Sequence, residues 1–479
     1  MDGAGIVVRP EQALELAARL LADDRIDEAS ALLAQVAEGA APGPDVWLLR
    51  AQAAARRGQW AAVLRLAGMA QASGQSCLGL HYLRHDAGVA LGREAEVMAA
   101  SEDAAREAPE APEALARLAA AQYRACDMAR AIALCRAALR IDPRYRPAHD
   151  ILAAALLVRG EYAEGWEEYP WRFRFHGGDA PRVAPQEWGG EVLDGAALRG
   201  QLVLIGDQGL GDVIQFARYL PFVAQRCTGS DLVLACAEAL HPLLAPLLGR
   251  VAPGAALVAR DAPTPRCGRW LTLSQLPRLA GTRLDSIPGP HPYLHAEPAA
   301  AARWRARLDA LLPGGMRRVG LVWAGNPLHQ NDASRSLLLP MLAPLTECAG
   351  VALVSLQQGA AAAGLSGYAG RAPLVSLGPE LADLGETAAV MAGLDLVVTI
   401  DSAPAHLAGA LGVPTLLLLP FAPDWRWLLQ RADSPWYPSL RLLRQPAPGA
   451  WAPVIAEAAA SIAAWDVPGR PEQTPSVPG

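Results

Sequence analysis

A spacing of 34 residues runs through the first third of the chain, and it constrains the fold more than any other feature. Segments beginning at Pro10, Pro44, Leu78, Pro112 and Arg146 align without gaps. Their fifteenth positions are Asp24, Gly58, Gly92, Cys126 and Gly160, and their twentieth are Ala29, Val63, Val97, Ala131 and Gly165. Ala70, Ala104 and Ala138 share a later register, and Pro109 and Pro143 close two of the copies. A turn residue, then small residues, then a terminating proline is what two closely packed helices need. A repeat of this length cannot bury its apolar face alone, so the units stack into a solenoid.

The stretch EALARLAAAQYRACDMARAIALCRAALRIDP is the clearest copy. Its spacing and residue types match the tetratricopeptide (TPR) pattern, with Gln122 at a position where that pattern usually has an aromatic. An unspecific Ala-rich helical bundle is the alternative, and five segments in one register weigh against it. A TPR superhelix presents a groove for a peptide or protein segment. None of the repeat residues has the look of catalytic chemistry.

After GEYAEGWEEYPWRFRF (160–175) comes a stretch rich in Gly, Pro and Asp, which reads as a linker. From Leu202 the period changes. Short apolar runs at Leu202–Ile205, Leu232–Ala235, Val319–Trp323, Val351–Leu356, Leu396–Ile400 and Thr415–Leu419 are each followed by a turn and a helix-like stretch. Buried parallel strands read this way. The runs fall into two sets, which predicts two Rossmann-type halves facing one cleft. The expected layout is a TPR domain over 1–178, a linker over 179–200, an N-terminal Rossmann-like half over 201–300, a C-terminal Rossmann-like half over 301–466 and a disordered tail over 467–479.

In open α/β sheets the ligand sits beyond the carboxyl ends of the strands. Four loops lie there. In IGDQGLGDVIQFARYL, the glycines Gly209 and Gly211 precede Asp212. Asp212 either caps the following helix or faces the cleft as a carboxylate able to take a proton from a hydroxyl. In WAGNPLHQNDASRS, the residues Asn326, Asn331, Arg335 and Ser336 crowd a polar turn. In TIDSAPAHLAGALG, a strand ends at Asp401, and Ser402 leads into a helix whose N-terminus favours a phosphate, with His406 one turn in. Capping and packing are the competing roles of these three. The fourth loop, PFAPDWRWLLQRADSPWYPS, is aromatic and carries Arg426 and Arg431; a core cluster is the alternative there.

These motifs, in this order, make the chain resemble bacterial TPR-containing glycosyltransferases related to the lipopolysaccharide heptosyltransferases. In architecture it is similar to O-linked N-acetylglucosamine transferases. The resemblance spans about 110–465 and implies a GT-B-like fold, a nucleotide-sugar donor, no cofactor or metal, and inverting transfer with one carboxylate base. It maps that base to Asp212 and the donor diphosphate loop, D-[ST]-G-x-x-H, to Asp401, Ser402 and His406. Members that modify flagellin suggest a protein acceptor held by the repeats. The sequence departs from the group at Ala403, where glycine is usual, at Gln330, where a basic residue is common, and at Asp207, where glutamate is common.

Composition bounds the rest. All 42 basic residues are arginine and net charge is −6, against a general nucleic-acid binder. The seven cysteines are scattered without a C-x-x-C, which fits a reducing compartment. No signal peptide or membrane span is visible, so a soluble cytoplasmic protein is expected. Two functional classes stand: a glycosyltransferase, and a non-catalytic TPR interaction protein with a degenerate transferase domain.

Overall fold

The structure, a computed structural model, describes residues 10–39, 42–172, 187–193, 200–228, 231–264, 266–329 and 331–467. Gln330, most of the expected linker and residues 468–479 of the expected tail lie outside the described residues. The chain divides into two compact units, residues 1–155 and 156–479.

The first unit is a run of helix pairs. The leading helices are α1 (Pro10–Ala22), α3 (Pro44–Arg56), α5 (Leu78–Ala90), α7 (Pro112–Arg124) and α9 (Arg146–Val158). Their partners are α2 (Ile26–Gly39), α4 (Trp60–Ala72), α6 (Glu94–Glu107), α8 (Met128–Ile141) and α10 (Tyr162–Glu168). Both series start every 34 residues, so the sequence register is the structural register. The fifth pair continues across the division into the second unit.

The fifteenth position of each repeat shows why the register holds. Asp24, Gly58, Gly92, Cys126 and Gly160 all have positive φ, from 60° to 82°. In every copy the next amide donates back to the first helix, as Gln59 N to Ala54 O and Asp127 N to Gln122 O, both at 2.9 Å. A left-handed residue closed by this bond is the Schellman ending of a helix, and glycine enters it without a Cβ penalty. The twentieth positions Ala29, Val63, Val97 and Ala131 are at most 1% exposed, which lets each second helix lie against its partner.

The second unit holds two parallel sheets. The first has β1 (Gln201–Ile205), β2 (Leu232–Cys236), β3 (Ala256–Ala259) and β4 (Cys267–Thr272), in the order β3-β2-β1-β4. After the helix Pro298–Leu311 come β5 (Arg317–Val322), β6 (Val351–Ser355), β7 (Leu374–Ser376), β8 (Leu396–Ile400), β9 (Thr415–Leu419) and β10 (Leu440–Arg444), in the order β10-β9-β8-β5-β6-β7. Counted from β5, that is 3-2-1-4-5-6, the Rossmann order. Strand order reverses between β1 and β4 in one half and between β5 and β8 in the other, and open sheets of this kind bind ligands beside such switch points. The expected architecture, TPR-type helical repeats followed by a pair of Rossmann-type α/β halves, is the architecture found.

The last helix of the repeats is built into the α/β unit. Tyr162, Trp166 and Tyr169 are all buried. Trp166 meets Trp425 edge-on at 5.1 Å, and Tyr162 Oη accepts from Trp436 Nε1 at 2.9 Å. Five aromatic rings thus form one cluster beneath the loop that carries Arg426.

Candidate functional site

Strand β1 runs into Gly206, Asp207, Gln208 and Gly209, and the helix Leu210–Phe216 follows. Asp212 stands at the third position of that helix. Its Oδ2 accepts the Gly209 amide at 2.9 Å, so it caps the helix from inside the first turn. Its Oδ1 pairs with Arg426, which arrives from the loop after β9. The two roles left open for Asp212 are therefore not exclusive: one oxygen caps and the other faces the opposite half.

Asp207 lies deeper. Its oxygens accept from Ser274 N at 3.1 Å and Ser274 Oγ at 2.6 Å, tying the end of β1 to the end of β4. Burial pushes its carboxyl up, against the pull of the Ser274 donors.

On the other side, β8 is followed directly by Asp401, and Ser402 is the extended N-cap of the helix Ala403–Ala410. Ser402 Oγ donates to Ile400 O at 3.3 Å. Burial, reinforced by the Asp424 charge, pushes the Asp401 carboxyl up to about 6. Arg335 Nη1 donates to the Asp401 carbonyl at 2.9 Å, which fastens the loop after β5 to this turn. In that loop Ser336 Oγ accepts the Gly325 amide and donates to Asp332 Oδ1, at 2.9 and 2.8 Å. Asn326 and Asn331 are exposed; Asn326 Oδ1 accepts the Leu328 amide at 3.0 Å, and the Asn331 amide donates to His329 Nδ1 at 3.2 Å.

His406 is 6% exposed. Its ring packs against Trp427 at 5.4 Å, and Nδ1 lies 3.0 Å from Tyr437 Oη. Burial holds the imidazole well below its usual range, and the nearby Arg426, Arg218 and Arg335 charges act the same way. It is a neutral ring among three cations.

The two switch-point loops touch. A Cβ placed on Gly211 would fall 2.6 Å from His406 Cδ2 and 3.3 Å from Ala403 Cα. Glycine at 211 lets the helix after β1 approach the helix after β8 directly. Asp212 and the Asp401–His406 turn consequently share one place, with Asn326, Asn331, Arg335 and Ser336 on the loop beside it.

Several members of this site lacked a role in the sequence. Arg426 is 5% exposed and binds Asp424 at 2.7 Å as well as Asp212 and Gln215 Oε1. Burial opposes its charge; the Asp424 and Asp212 carboxylates outweigh that and hold it protonated. Its guanidinium also lies 4.3 Å over the Trp425 ring. Gln357 is satisfied at both ends of its amide, accepting from Trp323 N and Ala324 N at 2.9 Å and donating to Ala324 O at 3.0 Å. An arginine inside the run Trp425-Arg426-Trp427 was the available sign of a buried, partnered cation. The role of Gln357 left no such sign.

Among the described residues no three histidine, cysteine, aspartate or glutamate side chains gather as metal ligands. No helix among them is long and apolar enough to cross a membrane.

Residues 354–422 match glycosyltransferase family 9 (heptosyltransferase). That stretch contains the β8 turn with Asp401, Ser402 and His406. Protein FlbA of Caulobacter vibrioides is 32% identical over 332 residues, 65% of this chain and 54% of that protein. The chain spans about half the length of that curated relative. Among solved structures, the repeats are similar to YrrB, "a TPR protein with an unusual peptide-binding site", at 13% identity over 35% of this chain and 88% of that one, TM-score 0.32. They are also similar to "a thermophilic TPR protein" of Thermus thermophilus, at 20% identity over 34% and 88%, TM-score 0.29. The 34-residue helix pairs, the two parallel sheets, the family match and the similarity to FlbA together define the class: a TPR-containing, heptosyltransferase-like chain. The resemblance to glycosyltransferases drawn from its loops is borne out.

Proposed function

We propose that the protein transfers a sugar from a nucleotide-sugar to an acceptor hydroxyl with inversion, without a cofactor or metal. The meeting of Asp212 with the Asp401–His406 turn, through Gly211, carries this reading. A helix N-terminus favours a diphosphate by its free amides and dipole, and the Asp401–Ser402 turn leads into one. Arg335, and the loop of Asn326, Asn331 and Ser336, stand beside it to take up charge on the leaving nucleoside diphosphate. Asp212 removes the proton of the acceptor hydroxyl as the anomeric carbon is attacked. The acceptor is a protein, flagellin-like by the sequence resemblance, held on the repeats, and the reaction is cytoplasmic.

One observation favours the non-catalytic alternative. Both Asp212 oxygens already have partners, Gly209 N and Arg426, as they would in a purely structural pair. Two variants separate the readings. Asp212→Asn and Asp424→Asn each remove one carboxylate from Arg426, and only the first removes the base. Transfer is followed as nucleoside diphosphate release with a cell extract as acceptor source. The enzyme reading expects Asp212→Asn to lose roughly 10²–10⁴-fold in rate while Asp424→Asn loses far less. Equal losses in the two variants, or a wild type that releases nothing in any extract, sink it.

A further inference from the structure

His406 touches Gly211 with one edge and Tyr437 with the other. At its Nδ1, 3.0 Å from Tyr437 Oη, either atom has the geometry to donate. Which one does decides what the other ring nitrogen offers: if Nδ1 accepts, Nε2 carries the proton. Nε2 makes no hydrogen bond among the described residues.

The surroundings of Tyr437 decide it. The Arg218 guanidinium lies 4.9 Å over the Tyr437 ring and is also within 4.8 and 5.1 Å of the Tyr293 and Trp436 rings. Arg218 is 3% exposed. Its Nε donates to Gln215 O at 3.0 Å and its Nη2 to Trp436 O at 2.9 Å, while Nη1 is buried without a hydrogen bond. Its charge is balanced by carbonyls and ring faces, with no carboxylate bonded to it among the described residues. A cation over a phenol ring draws electron density from the oxygen and strengthens the O–H as a donor. Burial keeps that phenol protonated: it pushes Tyr437 well up, the neighbouring Tyr293 phenol, whose own proton goes to Ile214 O at 2.9 Å, adds to this, and Arg218 only partly opposes them. The pair is therefore a neutral O–H against a neutral imidazole. The phenol is the polarised donor and the imidazole nitrogen the better acceptor.

We propose that Tyr437, polarised by Arg218, is a positioning residue that fixes His406 as the Nε2–H tautomer, so that the ring presents a hydrogen-bond donor to the diphosphate of the donor substrate. An Nε2 lone pair turned toward a phosphate oxygen would repel it; an N–H attracts it. This rests on the diphosphate reading above. Arg218 follows the helix after β1 and Tyr437 follows β9, so the relay forms only when the two halves are together.

The test is ¹⁵N–¹H correlation of the histidine rings in the full-length protein, with His406 assigned by loss of its signal in His406→Gln. The expected result is an Nε2–H tautomer in wild type, whose resonance moves when inorganic pyrophosphate is added. Tyr437→Phe is expected to give a mixed or exchange-broadened His406 signal and roughly tenfold or more weaker pyrophosphate binding, the scale of a hydrogen bond to a charged group. Arg218→Met is expected to move the signal in the same direction. A wild-type Nδ1–H tautomer overturns the proposal even if pyrophosphate shifts it. An Nε2–H resonance that pyrophosphate never moves leaves the relay standing and instead overturns the diphosphate reading. A Tyr437→Phe protein with a wild-type His406 signal and wild-type binding overturns the relay.

Discussion

Asp212 holds a helix turn with one oxygen and a buried arginine with the other, so replacing it has two separable costs. Asparagine caps about as well as aspartate, and the turn should survive Asp212→Asn. Arg426 would keep Asp424 and Gln215 and lose one charged partner. That costs on the order of 1–3 kcal/mol. Denaturant unfolding should show this loss; a loss above about 4 kcal/mol would mean that Arg426 has no adequate second partner. A titration makes a second prediction at this scale. His85 in α5 is buried, with Nδ1 2.8 Å from Ser101 Oγ, and burial, with Arg117 adding, lowers it to about 4 from 6.5. The folded value lies below the unfolded one. Its stabilising contribution is complete above pH ~6.5 and is lost as pH falls toward ~4, on the order of 3 kcal/mol in all. His85→Gln should flatten the unfolding free energy between those pH values by that amount. A variant as acid-sensitive as wild type would remove His85 from the cause.

At the scale of elements, the repeat turns separate backbone from packing. Gly58 and Gly92 have φ of 68° and 64°, and a Cβ at either would meet nothing within 4 Å. Gly→Ala there should cost about 1–2 kcal/mol through the left-handed backbone alone. Gly68, inside α4 with equally open space and no positive φ, should gain up to about 1 kcal/mol from the same substitution, by helix propensity. Urea unfolding of the three variants tests this, and equal signs would refute the backbone account. The strands divide as instructively. The six central strands, β1, β2, β5, β6, β8 and β9, were each visible as an apolar run. The four unrecognised ones, β3, β4, β7 and β10, are all sheet edges. An edge strand has one hydrogen-bonded neighbour and a wetter surface, so β3 and β7 are wholly or partly accessible along their length and carry too weak a signal to be read.

At the scale of the whole chain, repeats and α/β unit are not separable at the linker. Tyr162, Trp166 and Tyr169 lie before it and pack on Trp425 and Trp436 after it. A chain beginning at Arg146 keeps α9, α10 and this cluster, and should unfold cooperatively with a native near-ultraviolet spectrum. A chain beginning at Pro185 exposes Trp425 and Trp436, next to Arg426. Loss of even one buried aromatic costs about 3–5 kcal/mol, and three are removed. The shorter chain should lose cooperative unfolding and donor binding together; one that kept both would show the cluster to be dispensable.

What the sequence determined by itself is whatever depends on local spacing: the 34-residue register, the left-handed turn at each fifteenth position, the central strands and the loops that follow them. Each is set by residues within a few positions of one another, so the pattern lies open along the chain. The partnerships were decided only in three dimensions. Arg426 reaches Asp212 across 214 positions, and Arg218 reaches the Trp436 carbonyl across 218. Trp436 bonds Tyr162 across 274. His406 has the sequence of a ligand-facing residue, but nothing along the chain shows that Trp427 and Tyr437 hold the rest of its ring. No spacing rule records such pairs, because they form only when distant elements pack: two separately wound sheets bring their switch points together, with Gly211 leaving the room, and α10 docks on the loop after β9.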